Sequence, residues 1–303
     1  MQHVVFLMVA LLAMLPGQLP AASSDWAVNE QARTRLVSSL DSVAPGQTVI
    51  RVGWQVDLAP GWKTYWRAPG EAGLPPRFDW SESENVAAVD VAWPTPERMT
   101  AYGFDSIVYG DNVVLPIRIR LHEPGQPVSL QLKTEYMVCE EICIPHEAHH
   151  DLTLAAGPGG KSPEAGLIEE FEARVPLRQS ALGVAVQHQE GGPWIKDLTV
   201  SDQGLELIVV KGKGGIADIF VDGPPALVLG RVRAKGEGPD DFLKFHVPLY
   251  GADPVILADQ ELGLVLVGGS GHAVEWRGYI KKANSRCASD TVAKSVDQDC
   301  ANR

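Results

Sequence analysis

The chain has 303 residues, of which 45% are hydrophobic and 21% are charged, and its formal net charge is -12. That length suits two domains of roughly 100 to 150 residues, each large enough for a hydrophobic core of its own. The acidic balance disfavours nucleic acid or an anionic membrane surface as a partner, because both repel negative charge.

The first 24 residues are typical of a secretory signal peptide. An unbroken apolar run covers residues 4–15, Pro16 ends it, and small residues at positions 21–24 offer a cleavage site. The run is too short to span a membrane, and no later stretch reaches the roughly 18 apolar residues that a spanning helix needs. We therefore expect an exported protein without a transmembrane segment after cleavage.

Alternating apolar and polar residues, which are the pattern of a half-buried β-strand, dominate residues 25–155. The alternation is clearest at residues 48–58, and it recurs at residues 117–121 and 128–132. Pro and Gly separate these runs, as turns between strands require. The pattern predicts an all-β first domain over residues 25–155.

Two of the four cysteines, Cys139 and Cys143, stand four positions apart. A disulfide needs Cα atoms about 4.4 to 6.8 Å apart, whereas four residues of extended strand span roughly 13 Å. The two cysteines can therefore pair only across a turn, with residues 140–142 at the tip of a hairpin. Because exported proteins retain disulfides, this cysteine pair is the candidate reactive site.

A Gly- and Pro-rich break follows at residues 155–163, and we place the boundary of the first domain there. The sequence Ser-Pro-Glu at residues 162–164 precedes apolar residues with helical spacing. This pattern predicts a linker over residues 156–179 that contains a short capped helix.

Short apolar runs at regular spacing between residues 180 and 280 predict a second β-sandwich domain. Residues 281–303 are polar and lack a periodic apolar face, so we expect a loosely ordered tail. This tail carries Cys287 and Cys300, which we interpret as a second disulfide or as incidental thiols without a catalytic role.

Several segments together resemble the periplasmic N-terminal domain of the thiol:disulfide interchange family DsbD, and the ScsB branch of that family in particular. They are GWKTYW at residues 61–66, GFDSIVYGD at residues 103–111, Leu115-Pro116 and CEEICIP at residues 139–145. The ScsB branch has a comparable Cys-x-x-x-Cys-x-Pro segment, an adjoining stretch like residues 69–75 and a second β domain. The resemblance covers most of the chain after residue 24, and it is looser in the second domain.

The resemblance implies an all-β fold of two immunoglobulin-like β-sandwich domains in a periplasmic protein. It implies a thiol-disulfide oxidoreductase of the protein-disulfide reductase type, which relays reducing equivalents to or from periplasmic thioredoxin-like proteins without a cofactor. Cys143 would form the mixed disulfide with a partner, and Cys139 would resolve it.

In the family, an aromatic cap loop shields the cysteines until a partner docks. The matching stretch is residues 101–105, which makes Tyr102 or Phe104 the candidate cap and Asp105 its neighbour. The resemblance also implies three further neighbours of the disulfide, namely Tyr65, Tyr109 and Pro145.

The large members of the family continue into a multi-helix membrane domain and a thioredoxin-like domain, and the 303 residues contain neither. We therefore expect the protein to work with a separate membrane electron-transfer subunit, or to act as a stand-alone acceptor or donor. Both arrangements stay open at this point, as does the direction of electron flow.

Two other interpretations of the cysteine segment compete with interchange. One is a purely structural bridge, although a disulfide that closes only five residues stabilises a fold less than one that closes a longer loop. The other is a copper or zinc site, in which Cys139, Cys143 and His146 would be ligands. The common zinc-finger spacings are absent from the sequence, and the adjacent His149 and His150 would point to opposite faces of a strand. Interchange is therefore the stronger hypothesis.

Overall fold

The computed structural model describes residues 22–101, 103–185, 191–201, 204–224, 228–238, 242–250 and 260–279. Within these ranges the chain forms two β-sandwiches and one short helix, which confirms the predicted all-β fold. No helix in these ranges is long and apolar enough to cross a membrane. Residues 1–21 of the predicted signal peptide, the cap candidate Tyr102, and the tail with Cys287 and Cys300 lie outside the described residues.

The first sandwich consists of two antiparallel sheets. Its strands are β1 (Ala27–Val28), β2 (Ala32–Ser38), β3 (Val49–Leu58), β4 (Lys63–Gly70), β5 (Arg77–Asp79), β6 (Val86–Val91), β7 (Glu97–Ala101), β8 (Phe104–Gly110), β9 (Asn112–Leu121), β10 (Val128–Cys139) and β11 (Cys143–Leu154). One sheet has the order β1-β2-β3-β9-β6. The other has the order β11-β10-β4-β8-β7, and β5 also pairs with β10.

The main core lies between these two sheets. The alternation in the sequence is realised along β10 and at the end of β9, whereas residues 52–56 of β3 and 113–117 of β9 are buried on both faces. Trp54 on β3 is buried and packs edge-on against Phe78 and Tyr136 of the opposite sheet, with ring centroids 5.3 and 5.5 Å apart. Such aromatic pairs add to the stabilisation that comes from apolar burial alone.

The predicted helix in the linker is present as α1 (Ala165–Glu172). It packs against β2, β3 and β9, and its Phe171 belongs to the main core of the first sandwich. Glu164 is the N-cap residue by the bounds of α1, and its own side chain makes no capping bond. The Ser162 hydroxyl is engaged just before the helix, where it accepts from the Glu164 N–H and donates to the Ser38 carbonyl.

The second sandwich has a core of its own, built around Leu205, Val247 and Leu264. Its strands are β12 (Leu177–Arg178), β13 (Trp194–Ser201), β14 (Gly204–Val210), β15 (Ile216–Asp222), β16 (Val228–Leu229), β17 (Arg233–Glu237), β18 (Phe242–Tyr250), β19 (Glu261–Gly268) and β20 (Ala273–Tyr279). They form sheets of order β12-β20-β19-β15 and β13-β14-β18-β16, and β17 also pairs with β18. The pairing of β12 with β20 is parallel. The domain boundaries at residues 155 and 180 stay predictions.

The two sandwiches contact each other along one side of β4. The Trp66 ring lies 6.0 Å from the Phe220 ring, which reaches the main core of the first sandwich. The neighbouring Arg67 donates to Asp222 and to Glu275 of the second sandwich, at 2.6 Å in each case. An apolar contact and a pair of charge-assisted hydrogen bonds thus fix β4 against the second sandwich.

Candidate functional site

The candidate site is the tip of the hairpin that β10 and β11 form. The two strands pair in continuous register from Val128 opposite Leu154 to Cys139 opposite Cys143. The Glu140 N–H donates to the Ile142 carbonyl across the turn at 3.2 Å. The cysteine Cα atoms are 4.2 Å apart, and the two residues form a disulfide. The predicted hairpin tip and the predicted pairing of the two cysteines are therefore both present.

The two sulfurs differ in their access to solvent. Cys143 begins β11, which is the edge strand of its sheet, and it is exposed. Cys139 ends β10, which is flanked by β4 as well as by β11, and it is only 3% exposed. An incoming thiolate can therefore reach the Cys143 sulfur, whereas the Cys139 sulfur is shielded.

The disulfide lies on the outer face of its sheet, away from the main core. Because successive residues of a strand point to opposite faces, Val138 enters the main core while Cys139 points outward. A small group of apolar side chains surrounds the buried sulfur on that face, and we call it the outer-face cluster. It consists of Cys139, Tyr65 and Val108, with Met99 and Met137 packed against them.

The hydroxyl of Tyr65 on β4 lies close to both sulfurs. Its hydroxyl donates to the Cys139 Sγ at 2.8 Å and lies 3.5 Å from the Cys143 Sγ. The side chain is 2% exposed, and burial raises the pKa of the Tyr65 hydroxyl. The hydroxyl therefore stays protonated at neutral pH and acts as a hydrogen-bond donor to sulfur.

The chain that follows β4 holds the Tyr65 ring in place. The register between β4 and β8 shifts between Tyr65 and Gly70, which turns residues 70–75 back over the ring. Gly73 has a φ of 97°, and a Cβ at this position would lie 2.1 Å from the Tyr65 ring. Only glycine allows so close an approach of backbone to ring. The Tyr65 ring is therefore fixed between its own sheet and the backbone at Gly73.

The structure brings some of the other predicted site residues to the disulfide and leaves others away from it. Pro145 is exposed and is the next residue after Cys143 that points to the outer face. Tyr109 lies in the main core, on the inner face of the sheet, and donates to the Pro94 carbonyl at 2.7 Å. It is therefore not a neighbour of the sulfurs.

The cap candidate Phe104 begins β8 and is 55% exposed. It lies on the same face as Val108, but four residues further along the strand, which is about 13 Å. Its neighbour Asp105 is buried. Apart from Cys139 and Tyr65, the members of the outer-face cluster were missed in the sequence, although Met137 stands two residues before Cys139 and therefore shares its face.

The described residues contain no group of three or more His, Cys, Asp or Glu side chains that could hold a metal ion. His146 and His150 point to the inner face, where burial lowers the pKa of both, that of His150 to about 4. His149 points outward and lies 3.1 Å from Glu147. The proposed ligand set of Cys139, Cys143 and His146 is wrong, because alternation along β11 puts His146 on the face opposite to the sulfurs.

The fold and the site define a class of protein. It is a β-sandwich protein with a disulfide at a hairpin tip, in which one sulfur is exposed and the other is buried beside a hydroxyl donor. Residues 36–155 match the family model of the N-terminal domain of the thiol:disulfide interchange protein DsbD. The first sandwich is therefore similar to a DsbD N-terminal domain.

The second sandwich is included in a similarity to a solved structure. The chain is similar to the crystal structure of the N-terminal periplasmic domain of ScsB from Proteus mirabilis, with a TM-score of 0.63 and 22% sequence identity. The match covers 86% of this chain and 99% of that chain. At this level of identity the likeness shows the fold, and the fold extends over both sandwiches.

A weaker similarity links the chain to the Neisseria meningitidis DsbD N-terminal domain in its reduced form. The TM-score is 0.24 and the identity 15%, over 42% of this chain and 86% of that chain, so nothing further is drawn from it. No curated protein sequence gave a significant match.

Proposed function

We propose that the protein is a periplasmic thiol-disulfide interchange protein, in which the Cys139–Cys143 pair relays reducing equivalents to or from thioredoxin-like partners. A separate membrane electron-transfer subunit is the proposed source of these equivalents. The observation that carries the proposal is the asymmetry of the disulfide. Cys143 is open to a partner, and Cys139 is buried with its sulfur 2.8 Å from the Tyr65 hydroxyl.

The asymmetry suits a two-step exchange. A partner thiolate attacks the Cys143 sulfur, the bond between the two cysteines breaks, a mixed disulfide forms, and Cys139 leaves as a thiolate. The Tyr65 hydroxyl is placed to donate to this leaving thiolate, and a hydrogen bond to a charged group is stronger than one to a neutral group. The tyrosine thus favours the first step without taking part in bond exchange.

In the second step, the partner's other thiolate attacks the partner sulfur of the mixed disulfide. Cys143 then leaves as a thiolate, the partner holds a disulfide, and two electrons have passed to the cysteine pair. The same steps in reverse deliver the electrons to an oxidised partner, beginning with attack by Cys143 and ending with resolution by Cys139.

Exposed apolar residues around the tip form the proposed docking surface. Ile142 at the tip is 64% exposed, and Leu74 on the neighbouring loop is 56% exposed. Leu74 also lines a groove of about 340 Å³, together with Pro75, Met137 and Pro145. Contiguous exposed apolar surface next to a reactive group is typical of a protein-docking site.

The cap remains part of the proposal. Phe104 begins β8 directly after the turn from β7, and it shares the outer face with the disulfide. The other cap candidate, Tyr102, precedes it by two positions in the sequence. We propose that this turn covers Cys143 between encounters, which would require the turn to bend along the sheet toward the hairpin tip. The exposure of Phe104 supports this role, because a large aromatic side chain otherwise gains little from lying in solvent.

A trapping experiment tests the proposed function. The variant Cys139→Ser retains the exposed thiol and should form a mixed disulfide with an oxidised thioredoxin-like protein, seen as a band on a non-reducing gel that a reductant removes. The matched control is Cys143→Ser, which keeps only the buried thiol and should form little of this adduct. Equal trapping by the two variants, or none by Cys139→Ser, would refute the proposed roles.

A further inference from the structure

Arg231 reaches from the second sandwich to the β7–β8 hairpin of the first. It lies between β16 and β17, and its Nε and Nη2 donate to the two carboxylate oxygens of Asp105 at 2.6 and 2.5 Å. A pair of this bidentate form fixes orientation as well as distance. The Asp105 side chain is 7% exposed, and the hydrogen bond from Arg231 lowers the pKa of its carboxyl to about 2. Both partners are therefore charged at neutral pH.

Further side chains hold Asp105 in place. The Thr100 hydroxyl donates to its carboxylate at 2.6 Å, and Arg98 approaches the same carboxylate at 3.3 Å. Arg98 also donates to Asp218 of the second sandwich at 2.9 Å. The second sandwich thus holds this hairpin through two arginines, one on each side of the interface.

The backbone of Asp105 also fixes residues 70–75, through hydrogen bonds to Glu71. The Glu71 N–H donates to the Asp105 carbonyl at 2.9 Å, and the Asp105 N–H donates to the Glu71 carboxylate at 2.7 Å. Gly70 approaches the same carbonyl so closely that a Cβ there would lie 2.5 Å from it. Because Gly73 in this stretch lies against the Tyr65 ring, the contacts form a continuous chain from Arg231 to the sulfur of Cys139.

We propose that Arg231 is a positioning residue for the exchange reaction. By holding Asp105, it keeps residues 70–75 against Tyr65 and so keeps the tyrosine hydroxyl on the Cys139 sulfur. This inference rests on the proposed function for its biological meaning, since it concerns the same disulfide. It also assigns a task to the second sandwich, which sets the reactivity of a disulfide that lies wholly in the first.

The test is the rate at which dithiothreitol reduces the Cys139–Cys143 disulfide in the full chain. Arg231→Ala should slow this reduction about threefold to tenfold, which is the range expected when one member of a coupled network is removed. Arg231→Lys should restore part of the rate, because it keeps the charge but not the bidentate geometry. The control is Arg233→Ala on β17, an exposed arginine that makes no side-chain hydrogen bond or ion pair within the described residues.

A double-mutant cycle with Tyr65→Phe separates positioning from general loosening. If Arg231 acts through the tyrosine hydroxyl, Arg231→Ala should have no further effect once that hydroxyl is gone. An equal slowing in both backgrounds, or an unchanged rate in the presence of Tyr65, would overturn the proposal. Asp105→Asn should reproduce the Arg231→Ala result and provides a second variant should the first fold poorly.

The outcome is independent of the trapping experiment, because dithiothreitol replaces the biological partner. If trapping fails but Arg231→Ala slows reduction only when the Tyr65 hydroxyl is present, the proposed function is rejected and the positioning role stands. If trapping succeeds but Arg231→Ala has the same effect in both backgrounds, the positioning role is rejected and the proposed function stands.

Discussion

The two faces of the β10–β11 hairpin serve different purposes. On the inner face, Tyr136 and Val138 belong to the large core between the sheets, where aromatic and aliphatic side chains are closely packed. On the outer face, Met137 and Cys139 join a much smaller cluster that has the Tyr65 hydroxyl and the disulfide at its centre. Neighbouring residues of one strand thus contribute alternately to folding and to chemistry.

In this arrangement, a small reactive group is held rigidly although it does not lie in the main core. The inner residues fix the strand, and the period of two then fixes the direction of every outer side chain. The disulfide can open and close on the outer face while the packing on the inner face is unchanged. A substitution on the inner face should therefore change stability with little effect on the reactivity of the disulfide. A substitution on the outer face should change that reactivity with little effect on stability.

The largest expected effect is on the inner face. Trp54→Ala should lower the free energy of unfolding by about 3 to 5 kcal/mol, because it leaves a large cavity next to Phe78 and Tyr136. Urea unfolding measures this loss, and Val49→Ala on the same strand, at an exposed position, is the control. The rate of disulfide reduction in the folded protein should stay within about twofold. If Trp54→Ala slowed disulfide reduction as much as Tyr65→Phe does, the two faces would not have separate roles.

A smaller effect concerns the pH dependence of stability, again on the inner face. Burial lowers the pKa of His150 to about 4, from an ordinary value of 6.5. Between these two pH values the histidine is protonated in the unfolded chain but neutral in the folded protein. Stability should therefore fall as the pH drops from about 6.5 to about 4, by at most about 3 kcal/mol for this residue. His146, whose pKa burial also lowers, acts in the same direction.

Denaturant unfolding between pH 4 and pH 7 measures this dependence. His150→Gln should flatten it, whereas His149→Gln, which changes the exposed neighbour, should not. An unchanged slope in the His150 variant would show that folding does not lower the pKa of this histidine.

The smallest expected effect in free energy falls on the outer face. Tyr65→Phe keeps the ring but removes the donor to the Cys139 sulfur, and it should slow reduction by dithiothreitol about tenfold, or about 1.4 kcal/mol. Tyr109→Phe is the matched control, because it removes a hydrogen bond of the same kind, to Pro94, on the inner face. The control should lose stability of about 1 kcal/mol without a change in rate. If the two variants changed the rate alike, the hydroxyl of Tyr65 would have no special role.

The hairpin could be predicted from the sequence because its constraint is local. A bridge between residues four positions apart requires a turn between them, and the alternation before Cys139 specifies a strand. The inner-face residues of β3, β9 and β10 were predictable for the same reason, since the pattern of each strand is visible along the chain. The opposite orientation of His149 and His150 followed from the same alternation.

Contacts between distant segments could not be predicted in this way. The hydrogen bond from Tyr65 to Cys139 joins residues 74 positions apart, and it depends on the pairing of β4 with β10. The pair of Arg231 and Asp105 spans 126 positions. Strand β4 ends in Pro69 and Gly70 and has an irregular register with β8, so no period of two reveals which way its side chains point. The resemblance drew attention to Tyr65, but it offered no reason to separate that residue from Tyr109.

The most direct test of the central claim is the midpoint potential of the Cys139–Cys143 pair. It can be measured by titration in glutathione and dithiothreitol buffers, with alkylation and peptide mass spectrometry to follow this pair separately from Cys287 and Cys300. If the pair exchanges disulfides with partners, its midpoint should lie between about -270 and -120 mV, in the range of proteins with this function. A midpoint below about -300 mV would mean that the bridge is structural, and it would rule out the interchange role.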